Sequence, residues 1–151
     1  MRPAGEEKPK MEQGEQFLGG FAGGFLAKGG TVGYGLYATT KRLIGVNVVK
    51  VGARSFLGGH MAGFVDGQLM PTVSADESAK VIAELDEKKD FDVRKDQISR
   101  IELKSPGLLG LGHMTITTQL RQETKIGLRH KEAYQRLKDL MQVFYPEVLA
   151  L

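Results

Sequence analysis

The sequence predicts an α+β domain built from short antiparallel strands and closed by one amphipathic helix near its C-terminus. Three observations carry that expectation. Valine, isoleucine, tyrosine and threonine cluster in short runs broken by polar turns; one later segment alternates apolar and polar residues; and the last apolar residues recur at helical spacing. A chain of 151 residues with 41% hydrophobic content suits one domain able to bury its own core.

The first 16 residues mix Glu, Lys and Pro with little apolar content and are expected to be a disordered tail, leaving 17–151 as the domain. Residues 17–27, FLGGFAGGFLA, set paired glycines four apart among Phe and Leu. Residues 56–70 echo the spacing at Gly59, Gly63 and Gly67. In a helix such small residues form a stripe on which a second backbone packs closely. Eleven residues give only ~16 Å of helix and fifteen ~22 Å, too short for a bilayer core of roughly 30 Å. Each glycine also costs about 1 kcal/mol in a helix interior, so helical runs here would need lipid, a partner or the rest of the domain.

Between these runs, TVGYGLYATTKRLIGVNVVKV reads as two strands joined across Thr39-Thr40-Lys41-Arg42, a register that sets Gly30 opposite Val51. Ser74-Ala75-Asp76-Glu77 fits a capping box. A helix follows, with Ala75, Ala79, Ile82 and Leu85 on one face, ending near Lys88 and Lys89. Residues 91–94 and 98–104 are strand candidates, and Ser105-Pro106-Gly107 punctuates after them. Met114, Ile116, Thr118 and Leu120 alternate with polar residues as a half-buried strand, and residues 124–128 pair back across Arg121-Gln122. In residues 131–145, Ala133, Tyr134, Leu137, Leu140, Met141 and Phe144 line one helical face before Pro146.

At LYATTKRLIGV the chain resembles the bacterial and archaeal pleckstrin-homology-like (PH-like, GRAM-type) domains, with Leu36, Tyr37, Thr39, Lys41, Arg42, Leu43 and Ile44 in the places of that family's early hairpin. FDVRKDQISRIELK is similar to a later strand, a polar turn ending Asp-x-Ile (Asp96 and Ile98) and the next strand. The resemblance covers about residues 31–51 and 91–145. It implies a PH-like antiparallel β-barrel capped by the final helix, and a binding or membrane-associated module rather than an enzyme. Residues 52–90 depart from the family pattern, as a glycine-rich insertion plus short helix between the third and fourth strands. No functional residue carries over. The family's phosphoinositide pocket needs a basic loop between the first two strands, of which Lys28 alone is a poor version.

Charge points to where such a module works. Residues 16–65 hold thirteen glycines and five cations without one Asp or Glu, whereas after Ala75 thirteen cations face thirteen carboxylates. An apolar, cationic stretch without counter-charge suits an anionic membrane surface. Lys28, Lys41, Arg42, Lys50 and Arg54 are therefore candidate contacts to lipid phosphate. Phe17, Phe21, Phe25, Phe56, Gly59 and Gly63 form a candidate apolar anchor or packing face. The plainer reading is that Arg42 pairs with a carboxylate, that the phenylalanines are core and that the glycines allow close packing within one chain. The leading function is peripheral association with the anionic cytoplasmic membrane face; the alternative is a soluble protein-interaction or self-assembly domain, a homo-oligomer packed on its glycine stripes.

No catalytic constellation, metal or other cofactor is indicated. His60 with Asp66 lacks a third ligand, and His113 and His130 have no nucleophile or carboxylate in sequence context. Zero cysteines fit a cytoplasmic setting. Nucleic acid is not an expected partner, since Tyr34 and Tyr37 are the only stacking candidates on the first hairpin.

Overall fold

The computed structural model describes residues 14–29, 31–47, 75–108 and 110–151, with the side chains at 22–25, 31 and 75 excepted. Strands β1 (Phe17–Lys28), β2 (Thr31–Thr39) and β3 (Arg42–Asn47) precede helix α1 (Ala75–Lys88). Then come β4 (Phe91–Arg94), a 3-10 turn at Lys95–Gln97, β5 (Ile98–Lys104), β6 (Gly112–Thr118), β7 (Glu123–Leu128) and helix α2 (Lys131–Phe144). A second 3-10 turn leads into the two-residue β8 (Leu149–Ala150). The fold is α+β. Among the described residues one sheet runs β4-β3-β2-β1-β7-β6-β5-β8, antiparallel except where β8 joins β5.

The first glycine run is a strand, not a helix. Gly20 is the register partner of Tyr37, and a Cβ on it would lie 2.1 Å from that ring's Cδ1. Gly45 stands in the same relation to its partner Phe91, again at 2.1 Å. Glycine here makes room for an aromatic ring laid across the neighbouring strand, which a helix would not provide. Gly29 serves differently: its φ of 58° lets the chain reverse from β1 into β2.

The second correction concerns closure. The sheet is open, with β4 and β8 as its outer strands among the described residues. Although β4 and β5 are consecutive, the Lys95–Gln97 turn separates them, and β5 pairs on its outer side with β8 through Ile101↔Leu149 and Glu102↔Ala150. Two antiparallel halves, β4 to β1 and β7 to β5, meet among the described residues through the pairs Leu26↔Leu128 and Ala27↔Gly127.

Helix α2 supplies Ala133, Leu137, Leu140, Met141 and Phe144 to the core, where they join Phe21, Leu26, Leu36, Leu43, Ile101, Met114, Ile116 and Ile126. Tyr134, assigned to the same stripe, is half-buried. Its ends are set locally: His130 Nδ1 accepts the backbone N–H of Glu132, and Pro146 follows the last turn. Helix α1 falls between the third and fourth strands as expected and packs against β1 and β3. Its buried stripe is Ser78, Val81, Ile82 and Leu85, while Ala79 is exposed. The Ser78 hydroxyl explains the offset, because its Oγ accepts the Phe17 N–H at 2.5 Å and so faces the sheet. Leu120 also departs from expectation: β6 stops at Thr118, the turn places Arg121 at φ 65°, and Leu120 is 81% exposed.

Candidate functional site

The β2–β3 turn, where lipid contact was expected, is an internal ion cluster. Arg42 Nε donates to Glu15 at 2.7 Å, Nη1 to Asp86 and Asp92 at 2.7 Å each, and Nη2 to Asp86 at 2.8 Å and Glu15 at 3.3 Å. Lys89 adds bonds of 3.1 Å to Asp86 and 2.9 Å to Asp92. All five guanidinium hydrogens are therefore directed at protein carboxylates. The Arg42 bonds hold the Asp86 carboxyl below its ordinary range, with Lys89 adding to the effect. For Asp92, burial pushes upward and is outweighed by Lys89 and Arg42 together. Three carboxylates around two cations repel an incoming phosphate, so Arg42 is a staple between the chain's start, the first hairpin, α1 and β4. Glu15 and Gln16, assigned to the tail, belong to this structure; Gln16 also accepts the Thr40 N–H at 2.8 Å.

The other predicted residues scatter. Lys41 is exposed on the same turn. Lys28 ends β1 beside its register partner Thr31 at the far end of β2, roughly 26 Å away along the nine residues of that strand. There its ammonium is 3.6 Å from Asp90 and 5.6 Å from the Phe91 ring centre. Lys28 and the Lys41–Arg42 pair thus occupy opposite poles and form no single patch. Phe17 and Phe21 are buried, so they serve as core rather than as anchors. Tyr34 and Tyr37 are buried too and offer no face to a base. Lys50, Arg54, Phe56, Gly59, Gly63, His60 and Asp66 lie outside the described residues, as does the Phe25 side chain.

What the structure brings together is at the Lys28 pole, where the two halves of the sheet meet. On the outer face, away from α2, Gly127 and Ala27 form the floor of an open groove of about 770 Å³. Val32, Leu111 and His113 border it, with Lys28, Lys125 and Arg129 as cations and Glu123 as the carboxylate. Register explains the grouping. Lys104, His113 and Gly127 form one cross-strand row, and Glu102, Thr115 and Lys125 form the next. His113 Nε2 is 3.7 Å from Glu102. Lys125 and Arg129 make no ion pair with any described residue. Val32 is 42% and Leu111 62% exposed, although β-branched and leucine side chains normally turn inward.

Sequence reasoning missed this corner because its residues come from three separated segments. One signal was readable: residues 105–111, SPGLLGL, place leucines in a Pro- and Gly-marked turn, where apolar side chains lack a strand or helix to bury them. Among the described residues no helix is long and apolar enough to cross a membrane. No protein-family model, curated protein or solved structure matches the chain.

Proposed function

We propose that this chain is a non-enzymatic, PH-like binding module that docks peripherally on an anionic membrane face through the pole bearing Lys28, Lys125 and Arg129. The PH-like part is supported by the sequence resemblance and by the order of elements: a four-strand meander, a three-strand meander, then an amphipathic helix packed on the sheet. One observation carries the membrane part. Lys125 and Arg129, which make no ion pair with any described residue, line the same outward groove as exposed apolar side chains, the combination that a charged headgroup layer over hydrocarbon favours.

Co-sedimentation tests the reading. The protein should pellet with vesicles of mixed phosphatidylcholine and phosphatidylserine, should not pellet with phosphatidylcholine alone, and should be released as salt rises, since surface attraction is screened within roughly 8 Å at physiological ionic strength. Equal recovery with both vesicle types, or none with either, would contradict it. Concentration-dependent self-association without vesicles would favour the soluble assembly domain instead.

A further inference from the structure

We infer that Leu108 and Leu111, in the described part of the loop joining β5 to β6, are the side chains that enter the lipid. This rests on the membrane reading above and names the part of the surface that performs it. Leu108 is fully exposed and Leu111 is 62% exposed, three residues apart on one loop. Scattered single exposed leucines are ordinary, whereas two on one short loop expose apolar area that water disfavours.

The loop is closed tightly at its stem. A Cβ on Gly112 would meet the Lys104 carbonyl oxygen at 2.2 Å and the Pro106 nitrogen at 2.6 Å, so the two strands close tightly where the loop begins. Beyond that point Gly107 donates to the Gly110 carbonyl at 3.0 Å, and a Cβ on either glycine would meet nothing within 4 Å. The loop therefore has a pinned base and open space beside Gly107 and Gly110. The polar surroundings suit a headgroup layer. Lys104 stands at the loop's foot beside its register partner His113, and the foot at Leu111 is itself a wall of the groove holding Lys125 and Arg129. Cations around an apolar tip are complementary to anionic lipid, with the leucines reaching the acyl boundary.

The chain contains no tryptophan, so Leu108→Trp creates a sole reporter in the full-length protein. Leu120→Trp, on the turn at the other end of β6, is its control. With phosphatidylserine-containing vesicles, emission from position 108 should shift to the blue and be quenched by a lipid-embedded quencher, while position 120 should stay unchanged. Leu108→Glu with Leu111→Glu should weaken vesicle binding by roughly tenfold to a hundredfold, the partition change that leucine burial carries. The melting transition of that variant should match wild type, because neither side chain is buried.

Vesicle binding with no shift at position 108 and undiminished binding by the Glu variant would overturn the loop assignment and leave the module reading standing. Shifts at both positions would overturn it as well. No vesicle binding by wild type would overturn both. Loss of a wild-type oligomer in the Glu variant, without vesicles, would make the loop a protein contact and not a lipid one.

Discussion

Arg42 shows how one side chain reads differently in sequence and in space. Its neighbours in the chain, Thr40 and Lys41, suggest a basic turn, yet its partners Glu15, Asp86 and Asp92 arrive from 27, 44 and 50 residues away. No local pattern encodes those distances. The side chain is 14% exposed and its partners 20–41%, so the roughly 3–5 kcal/mol lost on breaking a fully buried pair is reduced by solvent screening. Arg42→Ala should cost about 1–3 kcal/mol in urea unfolding. A change within ~0.5 kcal/mol would show that the cluster is a surface ornament. The same cluster sets a pH dependence. Asp86 and Asp92 titrate below their ordinary values in the folded state, so the stability they contribute is complete above the ordinary carboxylate pKa and is lost as pH falls through the lowered values. Wild type should therefore lose stability progressively below about pH 4, and Arg42→Ala should show a shallower acid slope. Parallel slopes in the two proteins would contradict this assignment.

At the scale of elements, most of the fold was legible. The turn across residues 39–42 predicts Gly30 opposite Val51, and the described pairs from Tyr34↔Asn47 to Ala38↔Leu43 keep that same register. Strand bounds at Phe91–Arg94 and Ile98–Lys104, and five of the six α2 stripe residues, also follow from periodicity. Replacing Leu137 or Phe144 by Ala should cost roughly 2–5 kcal/mol, since both are buried among strands from the two halves of the sheet. A loss under ~0.5 kcal/mol would mean that the helix does not close the core. Strand β1 was not legible, because glycine carries no side-chain alternation and its four-residue spacing mimics a helical stripe. The cross-strand ring explains it, and it is testable: Gly45→Ala must push the Phe91 ring aside and should cost ~1–3 kcal/mol. Restoration of stability by adding Phe91→Leu would confirm the clash as its origin, whereas a neutral Gly45→Ala would remove the explanation.

At the scale of the molecule, residues 52–90 read in sequence as an insertion in the family pattern, and the described part of them packs on the sheet. Tyr37, Ile44 and Val46 are buried on the sheet face that shares Arg42, the side on which Asp86 and Ser78 of α1 reach the sheet. Deleting residues 53–89 with a short linker should therefore abolish cooperative unfolding, and a sharp two-state transition in the deletion protein would restore the modular view. The candidate site was the least legible part, because charge density along the chain placed it on Lys28, Lys41, Arg42, Lys50 and Arg54, while topology sets Lys28 beside Lys125 and Arg129 from the half where both charge signs are mixed evenly. The central claim is which pole meets the membrane, and pole-specific charge reversal tests it most directly. Lys125→Glu with Arg129→Glu alters the groove; Lys41→Glu with Arg121→Glu makes an equal change of net charge at the opposite end, where Lys41, Lys95, Gln97 and Gln119 are joined by backbone hydrogen bonds. In co-sedimentation with phosphatidylserine-containing vesicles, each reversed cation at the docking face removes about 1 kcal/mol of attraction or more. The groove variant should lose binding by at least about tenfold while the opposite-pole variant stays close to wild type; equal losses in the two, or a loss confined to the Lys41 pole, would contradict the account.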